Sequence, residues 1–314
     1  MLRALLIGCG NIGALYDFND VEEKVLSHAK AYHLLKNKID LTITDNDSNK
    51  INLVKNKYHF KSLNEDLKFN SFDIISLTTP TVTHFDYLKK MMEQNVPLIF
   101  CEKPIAVSID ELIELQRIRK YSKSKIVVNY IRRFNPNYIF LKEYISKTES
   151  NEKLISGTIK YCRGFLNNGS HALDIIQFLF QQTISLSDLQ ISNKVYDTFD
   201  TDPTLSGSFT FNNSTINLVG LTDISYSIFE IELFFKDKII QIANSGNEIK
   251  VLEYKTEFNQ LILNDKLHFQ NSLDKYMVDV FNFGIKLFEN ENLNDNFDNS
   301  ISLNLEMSKA LKKS

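Results

Sequence analysis

Leu2-Arg3-Ala4-Leu5-Leu6-Ile7-Gly8-Cys9-Gly10-Asn11-Ile12-Gly13 is the stretch from which the rest of the chain can be read. Its apolar start reads as a short buried strand of a parallel sheet. The three glycines that follow let the backbone turn tightly and bring N–H groups close to a pyrophosphate. The helix start beyond them adds the positive end of its dipole. Glycine is scarce in this chain, ten in 314 residues, well under the usual share of about 7%. Three of the ten fall in one hexapeptide directly after a strand. Gly8, Gly10 and Gly13, with Asn11 and Ile12 between them, therefore read as a nucleotide turn; the competing reading is a plain tight turn.

Downstream, strand and helix alternate. Residues 27–36 read as a helix and 39–44 as a second strand ending in Asp45. A carboxylate there can accept both hydroxyls of a ribose. Beside Asn46 and Asp47 it can also be a turn residue. Asp45 lies further from the glycines than the usual spacing of about 20 residues, so the first crossover carries an insertion, placed at 17–24. No arginine stands near Asp45 to meet a 2′-phosphate, which favours NAD over NADP. Further strands are expected at 72–78, 97–101 and 125–129. Helices are expected at 83–94 and from the Ser108-Ile109-Asp110-Glu111 capping box through 118. This pattern predicts a doubly wound parallel sheet.

After residue 125 the period changes. Residues 154–162, 206–211, 215–221, 224–235, 239–243 and 249–253 read as strands. Asn212-Asn213 and 244–247 read as hairpin turns. Helices are expected at 171–180, 273–288 and 301–311. The fold class is α/β: a Rossmann domain over 1–125 and a second α/β domain over 126–314 that binds substrate and forms oligomers. Its sheet is large, open and mostly antiparallel, and the C-terminal helices are free to pack back on the first domain. Alternating strands from 206 to 235, with Phe209, Phe211, Phe229, Phe234 and Phe235, are expected to show apolar residues on both faces. That predicts a homo-oligomer, dimer or tetramer, through this sheet.

Composition excludes several function classes. There are 36 Lys and Arg against 39 Asp and Glu, a net charge of −3, with an isoelectric point near 6.1. That balance argues against nucleic acid or an anionic membrane as partner. No apolar run is long enough to span a bilayer, and no secretory leader is apparent. Cys9, Cys101 and Cys162 are odd in number and lack metal-ligand spacing. They are expected to be reduced thiols of a cytoplasmic protein that holds no metal.

Two further clusters carry chemistry. Thr78-Thr79-Pro80-Thr81 and Cys101-Glu102-Lys103-Pro104 each end a strand, where ligands of open parallel sheets bind. Lys103 can set a cation beside a substrate oxygen and favour a developing alkoxide; a surface Lys-Glu pair is the plain alternative. His84, just past the Thr-Pro turn, is placed to contact cofactor or substrate. The second cluster is Asn167-Asn168-Gly169-Ser170-His171-Ala172-Leu173-Asp174. His171 falls in the first turn of an apolar helix, whose dipole disfavours imidazolium and so suits a general base. Asp174, one turn on, can orient it. A satisfied structural histidine is the alternative. His28, His33, His59 and His268 read as ordinary helix or surface residues.

Together these motifs resemble the Gfo/Idh/MocA family of nicotinamide-dependent oxidoreductases. The resemblance rests on the glycine turn, Thr78 to Thr81 with His84, Cys101 to Pro104, Asn129 to Pro136 with Arg133-Phe134, and Gly169 to Asp174. It implies NAD as cofactor, held by the glycine turn, Asp45, Thr78, Thr79, Pro80, His84, Glu102 and Lys103. It implies hydride transfer to or from a hydroxyl-bearing ring carbon of a sugar, cyclitol or nucleotide-sugar. Lys103 would hold the reacting hydroxyl and His171 would take its proton. Asn167, Asn168, Asp174, Tyr161, Arg163 and Arg133 would line the substrate. Many members carry an aspartate where Asn167 stands, and an amide cannot take up a proton as a carboxylate does. Two other activities follow from the same residues: a keto-sugar reductase of surface-glycan biosynthesis, or an NAD-binding sensor or assembly subunit without turnover.

Overall fold

The six residues Leu2–Ile7 form strand β1, whose apolar side chains from Ala4 onward are buried. The computed structural model describes residues 1–20, 24–63, 68–149 and 153–313. The chain divides into two units, one of residues 1–131 with 274–301, the other of residues 132–273 with 302–314.

In the first unit β1 is followed by one wide helical turn, Asn11–Leu15, then by helix α1 (His28–Leu34), capped by the Ser27 hydroxyl. Next come β2 (Ile39–Thr44), α2 (Ser48–Tyr58), a two-residue β3 (Lys61–Ser62) and β4 (Ile74–Leu77). Then follow α3 (His84–Glu93), β5 (Leu98–Cys101), α4 (Ile109–Arg119) and β6 (Lys125–Val128). All pairings are parallel, in the order β3-β2-β1-β4-β5-β6. That is the doubly wound order, with the strand sequence reversing beside β1. The capping box at Ser108 and Glu111 is made in both directions. Residues 21–23 of the expected insertion lie outside the described residues. On its flanks Asp17, 1% exposed, accepts from the amides of Leu26 (2.7 Å) and Ser27 (3.0 Å) and from the Ser27 hydroxyl.

Helix α2 and strand β3 are additions to the pattern expected from sequence. Only Ile51, Val54 and Tyr58 of α2 are buried, so its apolar stripe is too thin to stand out among lysines and asparagines.

The second unit begins with α5 (Pro136–Glu149) and β7 (Ser156–Tyr161), then α6 (Ser170–Phe180). Seven strands follow: β8 (Gln190–Phe199), β9 (Asp202–Phe211), β10 (Ser214–Gly220), β11 (Phe229–Phe234), β12 (Lys238–Ala243), β13 (Glu248–Lys255) and β14 (Gln260–Leu263). The order is β14-β13-β12-β11-β7-β10-β9-β8. Only β7 with β10 is parallel. The β9–β10 connection is the expected asparagine hairpin: Asn212 and Asn213 have φ of 53° and 62°, the signature of a two-residue turn matched to strand twist. The chain ends with α7 (Tyr276–Glu289), part of the first unit, and α8 (Phe297–Lys313).

The sheet of the second unit has one covered and one open face. Along β11, Phe229, Ile231 and Leu233 are buried, while Glu230, Glu232 and Phe234 are not. Phe209, Phe211, Phe229 and Phe235 are at most 6% exposed. Phe180 of α6 packs on Phe211 (5.4 Å) and Phe235 (6.4 Å). Of the phenylalanines named from sequence, only Phe234 stands on the open face, half-buried beside Ile239 and Leu252. The open face also carries charge, with Lys160 3.4 Å from Glu230 and 3.6 Å from Glu232. Strands β8 and β14, both edge strands, were not expected; β8 is mostly exposed and irregular in register.

Candidate functional site

The carboxyl ends of β1, β2, β4 and β5 bring together the motif residues of the first unit. Gly8 has φ of +100°, where a side chain is strained, and a Cβ there would lie 2.8 Å from the Thr78 carbonyl oxygen. A Cβ on Gly13 would come within 2.2 Å of Gly8 O and 2.8 Å of Thr78 Oγ1. These two glycines exist for close packing of backbone on backbone. Gly10 differs: a Cβ there would meet nothing within 4 Å. It faces open space at the start of the 11–15 turn, where a pyrophosphate can approach first-turn amides that have no intrahelical acceptor. The residues present therefore fit a dinucleotide. Asn11 is exposed and Ile12 half-buried at the same turn.

Thr78 Oγ1 lies 2.7 Å from Gly8 O and 3.0 Å from Ile7 O, so its hydroxyl pins the glycine turn to the end of β4. Asp45 follows β2 as expected. Its carboxylate accepts from the Cys9 amide (2.6 Å) and from the Asp47 amide (2.8 Å). Both readings of Asp45 thus have a basis: it closes its own turn and holds the glycine turn, and each oxygen keeps a lone pair. Burial and the nearby Asp45 charge push the Cys9 thiol up to about 12, so Cys9 is packing, not a nucleophile. All three cysteines are free and buried.

His84 is not placed as expected. It is 1% exposed, and its ring nitrogens face two backbone carbonyls, Nδ1 with Pro104 O at 2.8 Å and Nε2 with Thr79 O at 2.9 Å. Neither nitrogen is left to touch a cofactor. Burial pushes this imidazole below its ordinary range, against the pull of the two carbonyls and of Glu102. Thr79 is half-buried and Pro80 exposed on the turn that His84 braces.

Glu102 turns inward. Its Oε1 accepts from Asn129 Nδ2 at 2.5 Å and lies 3.0 Å from His28 Nε2. His28, read from sequence as an ordinary helix residue, is 0% exposed. The missed signal is its place one residue inside α1, preceded by the capping Ser27. Lys103 follows Glu102 directly, half-buried, with Pro104 in the cis form beyond it.

In the second unit a wide helical turn, Gly164–Gly169, leads into α6. His171 sits in the first turn of α6, half-buried, as the sequence predicts; Asn167 and Asn168 precede it, also half-buried. The turn is held by Asp202, which sequence reading missed. Its carboxylate accepts from the amides of Leu166 (2.7 Å) and Asn167 (2.8 Å). Asn167 donates its side-chain amide to Arg163 O (3.1 Å), and Asn168 donates to Cys162 O (2.9 Å). Arg163 itself is exposed, with φ of 64°.

Three expected substrate contacts are committed elsewhere. Tyr161 is 0% exposed; its hydroxyl donates to Leu205 O (2.8 Å) and accepts from Leu205 N (3.1 Å). Arg133 and Asp174 form a buried two-bond ion pair, Nε to Oδ2 at 3.0 Å and Nη2 to Oδ1 at 2.8 Å. Burial pushes the Asp174 carboxyl above its ordinary range, and Arg133 pulls it back. Buried polar groups are used up by partners, so Tyr161 ties β7 to β9 and the Arg133–Asp174 pair braces α6 instead of facing a ligand. Among the described residues, no three His, Cys, Asp or Glu side chains group as a metal site, and no helix is long and apolar enough to cross a membrane.

A doubly wound sheet, a steric glycine turn with an open approach and an acid closing the second strand define a dinucleotide-binding domain. Residues 2–130 match the model of an oxidoreductase family with an NAD-binding Rossmann fold. This domain belongs to that family, the Gfo/Idh/MocA oxidoreductases, and NAD is its cofactor. An inositol 2-dehydrogenase of Mycolicibacterium smegmatis is 28% identical over 124 residues, 36% of this chain and 36% of that protein. The match thus spans little more than a third of that relative's length. An oxidoreductase from Agrobacterium radiobacter, solved with NAD+, L-tartaric acid and magnesium, superposes with a TM-score of 0.74 at 15% identity, covering 99% of this chain and 95% of that one. The UDP-N-acetylglucosamine 3-dehydrogenase GnnA from Acidithiobacillus ferrooxidans gives 0.70 at 14% identity, covering 99% and 96%. At such identities the likeness is one of fold, and it extends through both units.

Proposed function

We propose that the protein is an NAD(H)-dependent oxidoreductase acting on a hydroxyl-bearing ring carbon of a cyclitol, sugar or nucleotide-sugar. The observation that carries this reading is Lys103 on a turn braced from below, at the carboxyl edge of the same sheet that holds the glycine turn. NAD, when bound, supplies the hydride acceptor or donor. Lys103 holds the substrate hydroxyl and stabilises the developing alkoxide. His171, at the dipole-positive start of α6, takes or returns the proton. Asn167 and Asn168 offer amide hydrogen bonds to substrate hydroxyls, and exposed Arg163 is available to an anionic substituent. The named relatives support a cyclitol or nucleotide-sugar as the substrate class. The same groups run the reaction in either direction, so reduction of a keto-sugar in surface-glycan biosynthesis falls within this reading.

The test is NADH formation from NAD+ with a panel including myo-inositol and UDP-N-acetylglucosamine. Lys103→Ala and His171→Ala should each lower turnover by about a hundredfold or more; unchanged turnover in both rejects the assignment. A second reading, an NAD-binding sensor or assembly subunit, is favoured by Asn167, which has no ionisable group and gives one of its two amide hydrogens to Arg163 O. It predicts NAD binding with no turnover on any substrate of the panel.

A second copy of the chain is the occupant we assign to the open sheet face. Lys160 beside Glu230 and Glu232 gives both charges there, and Phe234, Ile239 and Leu252 are half-buried on it. A monomeric mass by light scattering at micromolar concentration would rule that out.

A further inference from the structure

Lys103 is the middle residue of three, and each neighbour is tied to a buried histidine. We propose that His28 and His84 are positioning residues for Lys103, His28 acting through Glu102 and His84 through Pro104. This rests on the reading of Lys103 as the residue that meets the substrate.

The Glu102 side is a directed chain. A carboxylate only accepts, so His28 Nε2–H donates to Glu102 Oε1. His28 Nδ1 then accepts from the Ser76 hydroxyl (3.1 Å), and Ser76 Oγ accepts from Tyr32 OH (2.9 Å). Asn129 Nδ2 donates to the same Glu102 oxygen. His28, Tyr32, Ser76 and Asn129 are at most 2% exposed. Residues of α1 and β4 and those just after β5 and β6 therefore join in one buried chain that ends on this carboxylate oxygen.

The Pro104 side is shorter. His84, at the start of α3, reaches Pro104 O and Thr79 O. It packs between the turn after β5 and the turn after β4, and the neutral ring gives its one N–H to one of the two carbonyls. With Glu102 and Pro104 both fixed, the Cα–Cβ direction of Lys103 is fixed as well, whatever its long side chain then does. A polar network that served only core stability would not need to end on the two residues flanking one lysine.

The experiment measures acetylation of Lys103 by acetic anhydride in the full chain, read by mass spectrometry, with exposed Lys36 as internal reference. His28→Leu and His84→Leu should each speed Lys103 labelling at least about threefold relative to Lys36, as expected when a bond holding a turn is lost. His28→Gln keeps one donor for Glu102 and one acceptor for Ser76, and should restore the wild-type rate. Unchanged Lys103 labelling in both leucine variants overturns the proposal. So does an equal rise at Lys103 and Lys36, which would report general loosening. If the leucine variants do not fold, Asn129→Leu removes the other donor to the same oxygen and is read in the same way. Full turnover in Lys103→Ala would instead overturn the functional reading of Lys103, and the labelling result would stand apart from it.

Discussion

The first unit and the second unit hold their site residues by different means. In the first, the glycine turn is shaped by close approach of backbone, and the carboxylates of Asp45 and Glu102 take neutral donors, with no arginine paired to them among the described residues. Gly8 and Gly13 let backbone touch backbone, and Thr78, His84 and Asn129 pin the turns with uncharged or weakly basic groups. In the second, buried charge does the holding. Asp202 gathers two amides of the 164–169 turn, and Arg133 with Asp174 braces the helix that carries His171. Close approach fails by steric clash and buried charge fails by an unpaired ion, so the two units should break differently.

The largest effect is expected at the ion pair. Arg133→Met leaves Asp174 buried without its partner and should cost about 3–5 kcal/mol in urea unfolding; a loss below about 1 kcal/mol would mean water already reaches the pair. Next is Gly13→Ala, whose methyl meets the Gly8 carbonyl oxygen at 2.2 Å. Backbone cannot step aside as a side chain can, and roughly 3 kcal/mol should be lost. Gly10→Ala sharpens the contrast within one turn. With no atom within 4 Å, it should leave stability within about 0.5 kcal/mol yet weaken NADH binding, measured by fluorescence. Equal NADH affinity would mean the dinucleotide does not approach Gly10. Asp202→Ala strands two amides and should cost about 2 kcal/mol, with Asp202→Asn recovering part.

The smallest effect is a pH dependence at His84. Its imidazole is held below the ordinary 6.5. Just below that pH the unfolded chain binds a proton that the folded chain does not, so stability rises with pH through this window and falls as pH drops through it. His84→Gln should flatten that dependence in unfolding curves at about pH 5.5 and about pH 7.5; an unchanged slope would assign it to another group.

Much of the first unit is legible because each of its signals is local. A glycine spacing, a capping box and short apolar runs lie within a few residues of one another, and the strands they imply are those observed. The second unit is less so. Strand β8 escapes notice because an exposed edge strand has no apolar alternation to show. At the site, Lys103 and His171 stand out through neighbours in sequence: a proline, a glycine, a helix start. The residues that hold these motifs do not. Glu102 and His28 are 74 residues apart, and Asn167 and Asp202 are 35 apart. Arg133, Asp174, Tyr161 and His84 look like ligand contacts in one dimension because polar side chains near a motif have two possible customers. Only three-dimensional packing shows that the protein itself is the customer at all four.

Strand β7 has a consequence for how the second unit is made. The strands on one side of it, β8 to β10, form a local meander; those on the other side, β11 to β14, form another. Each can assemble from hairpins between neighbours in the chain. Strand β7 precedes both, yet its partners are β10 and β11. As the chain leaves the ribosome, one edge of 156–161 waits for residues 215–220 and the other for residues 229–234. Loop closure over that distance sets the pace of folding. In the meantime the strand is a sticky edge open to any other chain, and Lys160 and Thr158 are what keep that edge from being an attractive one.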